Sequence, residues 1–258
     1  MYGFCNLSVV PCRAEASDKS EMTSQLLFGD FFEVLEKEGA WHKIKIDYDG
    51  YECWVDEKQY MLISKETYEK LQSAPMVCSN ELIQVLSNTS HENIFPVVLG
   101  SSMPFISNGE FAVEDNSFAL DGDIITGELP YKKEGLVNTA LQYLNAPYLW
   151  GGKSPLGIDC SGLTQLVYKL NGIKLPRDAW QQAEIGETLS FVEEAEPGDL
   201  AFFDNKEGHI VHVGVVMQDN KIIHASGKVR IDSFDHQGIF KSDTNTYSHT
   251  LRLLKRIV

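Results

Sequence analysis

The first sixty residues alternate between apolar and polar positions over short runs, and turn signals separate these runs. Apolar residues recur with a period of two around Phe32–Val34 and Ile44–Ile46, which is the pattern of half-buried strands. Glu38-Gly39 and Asp49-Gly50 are typical of tight turns. Closely spaced short strands joined by polar turns predict a small all-β barrel over residues 1–64.

The next stretch predicts a helical connector followed by more strands. Residues 65–74 are polar and compatible with a helix, and a proline follows them. Residues 94–125 return to short apolar runs, with turns at Asn108-Gly109 and Asp121-Gly122. We therefore expect a second small barrel, together with its connector, over residues 65–128.

The pattern changes near residues 127–130, where helical periodicity replaces the short strands. One helix is predicted by apolar residues at helical spacing, Leu136, Ala140 and Leu144. A second amphipathic helix follows Cys160, with an apolar stripe at Leu163, Leu166, Val167 and Leu170. Asp159 suits the N-cap of this helix, and Asn171-Gly172 suits its C-terminal end. Strand patterns follow, so a mixed α+β domain is expected over residues 129–258.

Composition and charge narrow the classes of function. The chain has 258 residues and a formal net charge of −15, which argues against a nucleic-acid partner because such proteins need clustered Lys and Arg. No apolar run approaches the roughly 18 residues of a membrane span, so we expect no membrane partner. No signal-peptide pattern is visible, which favours the cytoplasm, or the periplasm if a signal was removed.

One of the five cysteines stands in a distinctive position. The spacing of the cysteines fits neither a disulfide framework nor a CxxC metal site, so Cys5, Cys12, Cys53 and Cys78 are expected to be buried apolar residues. Cys160 falls in the first turn of a predicted helix, where unpaired N–H groups and the helix dipole favour thiolate and can donate to an oxyanion. Cys160 is therefore either a nucleophile or a buried thiol that begins a helix.

Two predicted strands, 211–217 and 221–226, each carry a histidine that can act as a base. A three-residue loop between them places His212 and His224 on one face as diagonal neighbours. A two-residue loop would place them on opposite faces. In the first arrangement His212 is a general base for Cys160, and His224 fixes the orientation of its ring.

A metal site is the alternative use of these residues. His209, His212 and His224 with Cys160 form a conceivable set of zinc ligands. A spacing of three along a strand directs the first two to opposite faces, so we expect no metal and no other cofactor. The remaining histidines have no partner that the sequence identifies and are predicted to lie on the surface: His42, His91, His236 and His249.

Four segments of the second half together resemble the NlpC/P60 family of cysteine peptidases: "YLWGGKSPLGIDCSGL", "LPRDAWQQ", "EPGDLAFFD" and "HVGVVMQDNKIIHASG". The resemblance assigns the nucleophile to Cys160, the base to His212 and the third polar residue to His224. It assigns contacts with the substrate or the thiol to Tyr148, Trp150, Asp159, Ser161 and Asp178. Ala179 stands where many relatives have serine.

The resemblance also implies an architecture. The catalytic domain is expected to be a papain-like α+β fold, in which a helix bundle packs on an antiparallel sheet. The N-terminal half resembles bacterial SH3-like domains, so two small all-β SH3-like barrels are expected before it. This combination resembles the branch that recycles murein peptides, in which a barrel caps the cleft and binds a free amine. By resemblance, Glu21 and Tyr51 supply those contacts.

The implied function is hydrolysis of the γ-D-glutamyl bond to a diamino acid in small murein peptides that carry a free N-terminal L-alanine. We expect a monomer that acts in cell-wall peptide recycling. The diamino acid is either diaminopimelate or lysine. Two alternatives stand beside this interpretation: a non-catalytic peptidoglycan-binding module, and an amidase or acyltransferase built on the same cysteine–histidine framework.

Overall fold

The structure is a computed structural model that describes residues 1–126 and 133–258, apart from the side chain of Glu134. The described chain forms two compact units. The first contains residues 1–126 and Trp150–Pro155, and the second contains residues 133–149 and Leu156–Val258. The predicted change of pattern near 127–130, and with it the boundary at 128/129, lies outside the described residues.

The first unit begins with a seven-stranded antiparallel sheet. Its strands are β1 (Tyr2–Phe4), β2 (Val9–Arg13), β3 (Met22–Leu27), β4 (Phe31–Glu38), β5 (Trp41–Ile46), β6 (Glu52–Asp56) and β7 (Met61–Ile63). They lie in the order β3-β2-β6-β5-β4-β1-β7. Alternate residues such as Phe32, Ile44 and Val55 are fully buried, which confirms the period of two predicted for these strands. Gly39 and Gly50, with φ of 60° and 72°, occupy the predicted turns in the left-handed region.

The rest of the first unit follows a short helix. Its elements are α1 (Lys65–Ser73), β8 (Val77–Ser79), β9 (Ile83–Asn88), β10 (Asn93–Val98), β11 (Glu110–Val113), β12 (Asn116–Asp121), β13 (Ile124–Thr126) and β14 (Lys153–Ser154). β10-β9-β12-β11 form one sheet, and β13 pairs with β8. Phe28, which follows β3, packs on Phe95, Phe111 and Phe118, so both parts of this unit share a core. The three-domain division and the second barrel stay predictions.

The second unit combines helices with a large antiparallel sheet. Its elements are α2 (Lys133–Gln142), β15 (Gly157–Ile158), α3 (Cys160–Leu170), α4 (Ala179–Gln182), β16 (Glu187–Leu189), β17 (Leu200–Asp204), β18 (Ile210–Met217), β19 (Lys221–Ser226), β20 (Lys228–Asp235), β21 (Gly238–Lys241) and β22 (Thr246–Arg256).

The strands of the second unit close on themselves. Seven strands lie in the order β16-β22-β17-β18-β19-β20-β21, and β21 also pairs with β22, so six of them form a ring. α3 packs against β18, β19 and α2, and every one of its residues is buried. The α+β character is confirmed, whereas the helix-bundle description stays a prediction. Among the described residues, no helix is both long and apolar enough to cross a membrane.

Candidate active site

The predicted helix start at Cys160 is confirmed. α3 begins at Cys160, and the side chain of Asp159 accepts a hydrogen bond of 2.7 Å from the backbone N–H of Gly162, which is the geometry of an N-cap. The helix ends at Asn171 and Gly172, as the sequence indicates. The thiol is almost enclosed, since Cys160 is only 7% exposed.

Burial opposes the bias of Cys160 towards thiolate that the sequence predicts from the helix start. Burial, with the negative charge of Asp159, raises the pKa of the Cys160 thiol to about 12. Backbone hydrogen bonds from Val213 and Ser161 act in the opposite direction but do not offset the burial. Desolvation penalises the charged form more than a helix start stabilises it. In this environment Cys160 needs a base that accepts its proton before it can act as a nucleophile.

The register of the histidine hairpin agrees with a three-residue loop. β18 and β19 pair so that Met217 lies opposite Lys221 and Gly214 lies opposite His224. His212 and His224 consequently share a face, with 2.8 Å between His212 Nε2 and His224 Nδ1. A Cβ atom at Gly214 would approach the Cβ atom of His224 to 2.9 Å, so glycine leaves necessary room beside the pair.

A carboxylate that none of the sequence motifs indicated completes the line of hydrogen bonds. His224 Nε2 lies 2.9 Å from Oδ2 of Asp232 on β20. Burial alone would raise the pKa of Asp232, but hydrogen bonds from His224 and Arg230 outweigh it and hold the pKa below its usual value. Arg230 contacts both carboxylate oxygens, with Nε 2.7 Å from Oδ2 and Nη2 2.7 Å from Oδ1.

The ionised Asp232 dictates the tautomers of both histidines. A carboxylate only accepts hydrogen bonds, so His224 carries its proton on Nε2 and presents Nδ1 as an acceptor. His212 must then donate from Nε2, which leaves its Nδ1 as the unprotonated nitrogen. Burial, aided by the proximity of His224 and His249, lowers the pKa of His212 well below its usual value. A neutral imidazole with a free lone pair is the form that can accept a proton from a thiol.

The start of α3 is also held by a buried arginine. Arg177 is 1% exposed, and its Nη1 and Nη2 atoms lie 3.1 and 2.7 Å from Oδ1 and Oδ2 of Asp159. Nη1 also donates to Ser161 Oγ at 2.9 Å. Two of the five residues assigned to the substrate or the thiol by resemblance, Asp159 and Ser161, are thus part of the network that fixes the helix start. Because Arg177 neutralises Asp159, the carboxylate can cap the helix while buried.

Tyr148 borders a cavity beside the histidines. Burial, with the nearby Cys160 and Asp159, raises the pKa of the Tyr148 phenol to about 12, so it is a hydrogen-bond donor at neutral pH. The cavity has a volume of about 280 Å³, and its walls include Tyr148, His212, Ser226 and His249. Such a volume is enough for part of a small peptide.

Asp178 stands at the start of the short helix α4. Its backbone N–H donates to Oε1 of Gln181 at 3.1 Å. The next residue of the helix, Gln182, donates from Nε2 to the carbonyl of Ser161 at 3.1 Å and accepts from Thr164 Oγ1 at 2.6 Å. These bonds tie the segment that carries Asp178 to the first turn of α3.

Three of the residues assigned to substrate binding belong to the first unit. The indole Nε1 of Trp150 donates to the Glu21 carboxylate at 2.5 Å, so the structure brings these two together. The Glu21 carboxylate forms no ion pair with a lysine or arginine in the part of the chain that the structure describes. Tyr51 is half-buried and packs against the core of the seven-stranded sheet.

Two histidines predicted to lie on the surface do not lie there. His42 is 4% exposed and shares a hydrogen bond with the Tyr60 hydroxyl. His249 is half-buried, and its ring stacks on His212. His209 precedes β18 and is exposed. The described residues contain no group of three or more His, Cys, Asp or Glu side chains arranged to hold a metal ion.

Comparison with known proteins identifies the family. The model of the NlpC/P60 family matches residues 145–247, and the model of the bacterial dipeptidyl-peptidase SH3 domain matches residues 12–59. The γ-D-glutamyl-L-lysine dipeptidyl-peptidase of Bacillus subtilis is 30% identical over 217 residues, which cover 78% of this chain and 71% of that protein. The chain belongs to the NlpC/P60 family. It is accordingly a cysteine peptidase with an SH3-like domain.

Two further comparisons extend over most of the chain. Dipeptidyl-peptidase 6 of Lysinibacillus sphaericus is 28% identical over 259 residues, which cover 90% of this chain and 92% of that protein. The crystal structure of an NlpC/P60 family protein from Bacillus cereus covers 100% of this chain, with a TM-score of 0.83 and 22% identity. This structural match shows that the chain shares the fold of that protein along its whole length.

Proposed function

We propose that the protein is a dipeptidyl-peptidase that hydrolyses the γ-D-glutamyl bond to a diamino acid in small murein peptides. The observation that carries the proposal is the hydrogen-bonded line from His212 through His224 to Asp232. It begins on β18, the strand that packs against α3 and whose Val213 backbone hydrogen-bonds the Cys160 thiol. The bond and the substrate class are proposed from the names of the similar Bacillus proteins, which act as γ-D-glutamyl-L-lysine dipeptidyl-peptidases.

In the first half of the proposed reaction, Cys160 is acylated. His212 Nδ1 takes the thiol proton while the sulfur attacks the γ-carbonyl carbon of the D-glutamyl residue. The carbonyl oxygen becomes an oxyanion, which N–H groups at the start of α3 and the Tyr148 hydroxyl can stabilise. The intermediate collapses by breaking the C–N bond. His212 gives its proton to the leaving amine, and a thioester to Cys160 remains.

In the second half, water releases the acyl group. His212, neutral again, takes a proton from water as the hydroxide attacks the thioester carbon. The C–S bond breaks, and the proton held by His212 returns to the Cys160 sulfur. Throughout both halves the Asp232 carboxylate keeps His224 in the tautomer that accepts from His212, so the positive charge on protonated His212 is stabilised by a fixed acceptor.

We propose that Glu21 binds the free amine of an N-terminal L-alanine. An ammonium group needs a carboxylate acceptor, and charge-assisted hydrogen bonds are the strong ones. The bond from Trp150 holds the Glu21 carboxylate in one orientation and leaves further lone pairs for such a ligand. Tyr51 and Asp178 are proposed to make further contacts with the dipeptide. An enzyme with this preference fits cytoplasmic recycling of released peptides by a monomer.

The test compares L-Ala-γ-D-Glu-L-Lys with its N-acetylated form by mass spectrometry, and Cys160→Ala is the control. The diaminopimelate analogues are measured in the same way to settle the diamino acid. Cleavage of the free-amine peptides alone, lost in Cys160→Ala, supports the dipeptidyl-peptidase. Equal cleavage of both forms would refute the proposed recognition of the amine. Transfer of the acyl group to an added amine without hydrolysis would favour the acyltransferase alternative, and retention on sacculi without turnover would favour a binding module.

A further inference from the structure

His249 lies on one face of the His212 ring. The two ring centroids are 4.2 Å apart and the planes differ by 21°, so the imidazoles are stacked. His224 meets the same ring edge-on, at a centroid distance of 5.0 Å and an angle of 84°. His212 therefore has a hydrogen-bonded partner on β19 and a stacked partner on β22, and Phe203 of β17 contacts the same ring at a tilt of 46°.

His249 is itself held in place. It lies on β22, opposite Ile239 of β21, and β22 pairs with β17 on its other side. Ser248 Oγ lies 2.8 Å from His249 Nδ1. Burial, together with His224 and Lys241, lowers the pKa of His249 to about 4, so the ring is neutral at neutral pH. A neutral ring can remain stacked on His212 when His212 takes up a proton.

The two partners constrain different motions of His212. A single hydrogen bond from Nε2 to His224 fixes one atom of the ring but lets the ring tilt about that contact. A stacked neighbour removes the tilt, because the rings would collide on one side and lose contact on the other. Proton transfer depends on the direction of the Nδ1 lone pair, and misplacement by about 1 Å can reduce a rate by about 100-fold.

We propose that His249 is a positioning residue that fixes the ring plane of His212 for proton transfer with Cys160. This inference rests on the proposed role of His212 as the base. It differs from a role in binding, although His249 also lines the cavity that contains Tyr148 and His212. A binding residue changes KM, whereas a positioning residue changes kcat and the reactivity of Cys160 in the absence of substrate.

The first test measures alkylation of Cys160 by iodoacetamide at pH 7, with the modified residue followed by peptide mass spectrometry. We expect His249→Ala to slow alkylation about tenfold or more, and His249→Phe, which retains an aromatic face, to restore most of the rate. The exposed His209→Ala is the matched control and should alkylate like the wild type. A wild-type rate in His249→Ala would overturn the proposal, as would a rate in His249→Phe as low as that in His249→Ala.

The second test measures kcat and KM for L-Ala-γ-D-Glu-L-Lys in the same variants. A fall in kcat with KM nearly unchanged supports positioning, and a rise in KM at constant kcat would overturn it in favour of substrate binding. The two tests separate this inference from the proposed function. If the peptide is not cleaved but alkylation follows the expected order, the proposed substrate is wrong and the positioning role stands. If His212→Ala alkylates as fast as the wild type, both the base and its positioning residue are refuted.

Discussion

The Nε2 atom of His224 lies 2.9 Å from Oδ2 of Asp232, a residue eight positions further along the chain on the neighbouring strand. This contact fixes the direction of every hydrogen bond between Asp232, His224 and His212, because an ionised carboxylate can only accept hydrogen bonds. Asp232 is 5% exposed and bound by Arg230, so it stays charged inside the fold. The protonation pattern of the site thus originates at a residue that does not touch the thiol.

Asp232→Asn should reduce kcat by about 10- to 1,000-fold. The new amide can donate to His224 Nε2 and so favour the opposite tautomers, which place the proton of His212 on Nδ1. The loss should be smaller than the roughly 10⁴-fold seen when a serine triad loses its carboxylate, because a thiol is easier to deprotonate. Asp235→Asn is the matched control. Asp235 lies on the same strand but accepts its hydrogen bond from the hydroxyl of the exposed Tyr247, at 2.6 Å, and not from a histidine of the site. Equal activity of Asp232→Asn and Asp235→Asn would contradict the assigned directions of the hydrogen bonds between His212, His224 and Asp232.

The reactivity of Cys160 should follow the ionisation of a buried thiol. With a pKa of about 12, the thiolate fraction of Cys160 rises about tenfold per pH unit up to that value. The rate of alkylation by iodoacetamide should therefore still be rising between pH 9 and pH 10, where a small free thiol levels off. Stopped-time alkylation followed by mass spectrometry measures this directly. A plateau reached by pH 7 would instead indicate a thiolate–imidazolium pair in the free enzyme.

Acid should destabilise the second unit through its buried histidines. The pKa values of His212, His224 and His249 are lowered in the folded state, mainly by burial, and that of His249 falls to about 4. Unfolded histidines take up protons as the pH falls below about 6.5, so the free energy of unfolding falls in that range by up to about 1.4 kcal/mol per pH unit for each histidine. Thermal unfolding between pH 7 and pH 4 should show this loss, and His249→Phe should make it less steep. An unchanged melting temperature over that range would contradict the buried neutral state.

Arg177→Met should destabilise the fold by about 3–5 kcal/mol, because it leaves the Asp159 carboxylate buried without its partner. The matched control is Arg252→Met. Arg252 is 61% exposed and its Nε lies 3.8 Å from Asp204, so its loss should cost about 0–1 kcal/mol. Urea unfolding of both variants gives the comparison. Similar free energies of unfolding would show that the Asp159 network is not the main anchor of the helix start.

Glu21→Gln should weaken the preference for a free amine. Loss of a charge-assisted hydrogen bond of about 1.5–3 kcal/mol corresponds to a reduction of roughly 10- to 100-fold in kcat/KM for the free-amine peptide. Activity on the N-acetylated peptide should change little. Glu15→Gln, an exposed glutamate of the same loop, is the control. If both variants keep the wild-type ratio of kcat/KM for the free-amine peptide to kcat/KM for the N-acetylated peptide, the ammonium group is bound by another residue.

The parts of the site that local sequence determines were predictable. The Asp159 cap and the start of α3 depend on adjacent residues, and the facing of His212 and His224 depends on a three-residue loop. Asp232 could have been found by continuing the same argument, since Gly227 is the single residue between β19 and β20 and Arg230 lies opposite His224. A diagonal neighbour of His224 is then Asp232.

The contacts of the site that depend on packing between segments far apart in the chain could not be predicted from local sequence patterns. His249 stacks on His212 only because β22 pairs with β17, and no pattern in the sequence around either strand predicts that pairing. The raised pKa of Cys160 follows mainly from burial, which depends on the packing of α3 against β18 and opposes the effect of the helix start. Glu21 and Trp150 are 129 residues apart in sequence, and the bond between them is likewise a product of tertiary structure.

The most direct measurement incubates the wild-type protein, Cys160→Ala and His212→Ala with L-Ala-γ-D-Glu-L-Lys and with its α-linked isomer. Mass spectrometry then follows release of L-Ala-D-Glu and lysine. The account predicts that the wild type cleaves only the γ-linked peptide, that Cys160→Ala cleaves neither, and that His212→Ala is at least about 100-fold slower. Undiminished cleavage by Cys160→Ala, or cleavage of the α-linked isomer alone, would contradict it.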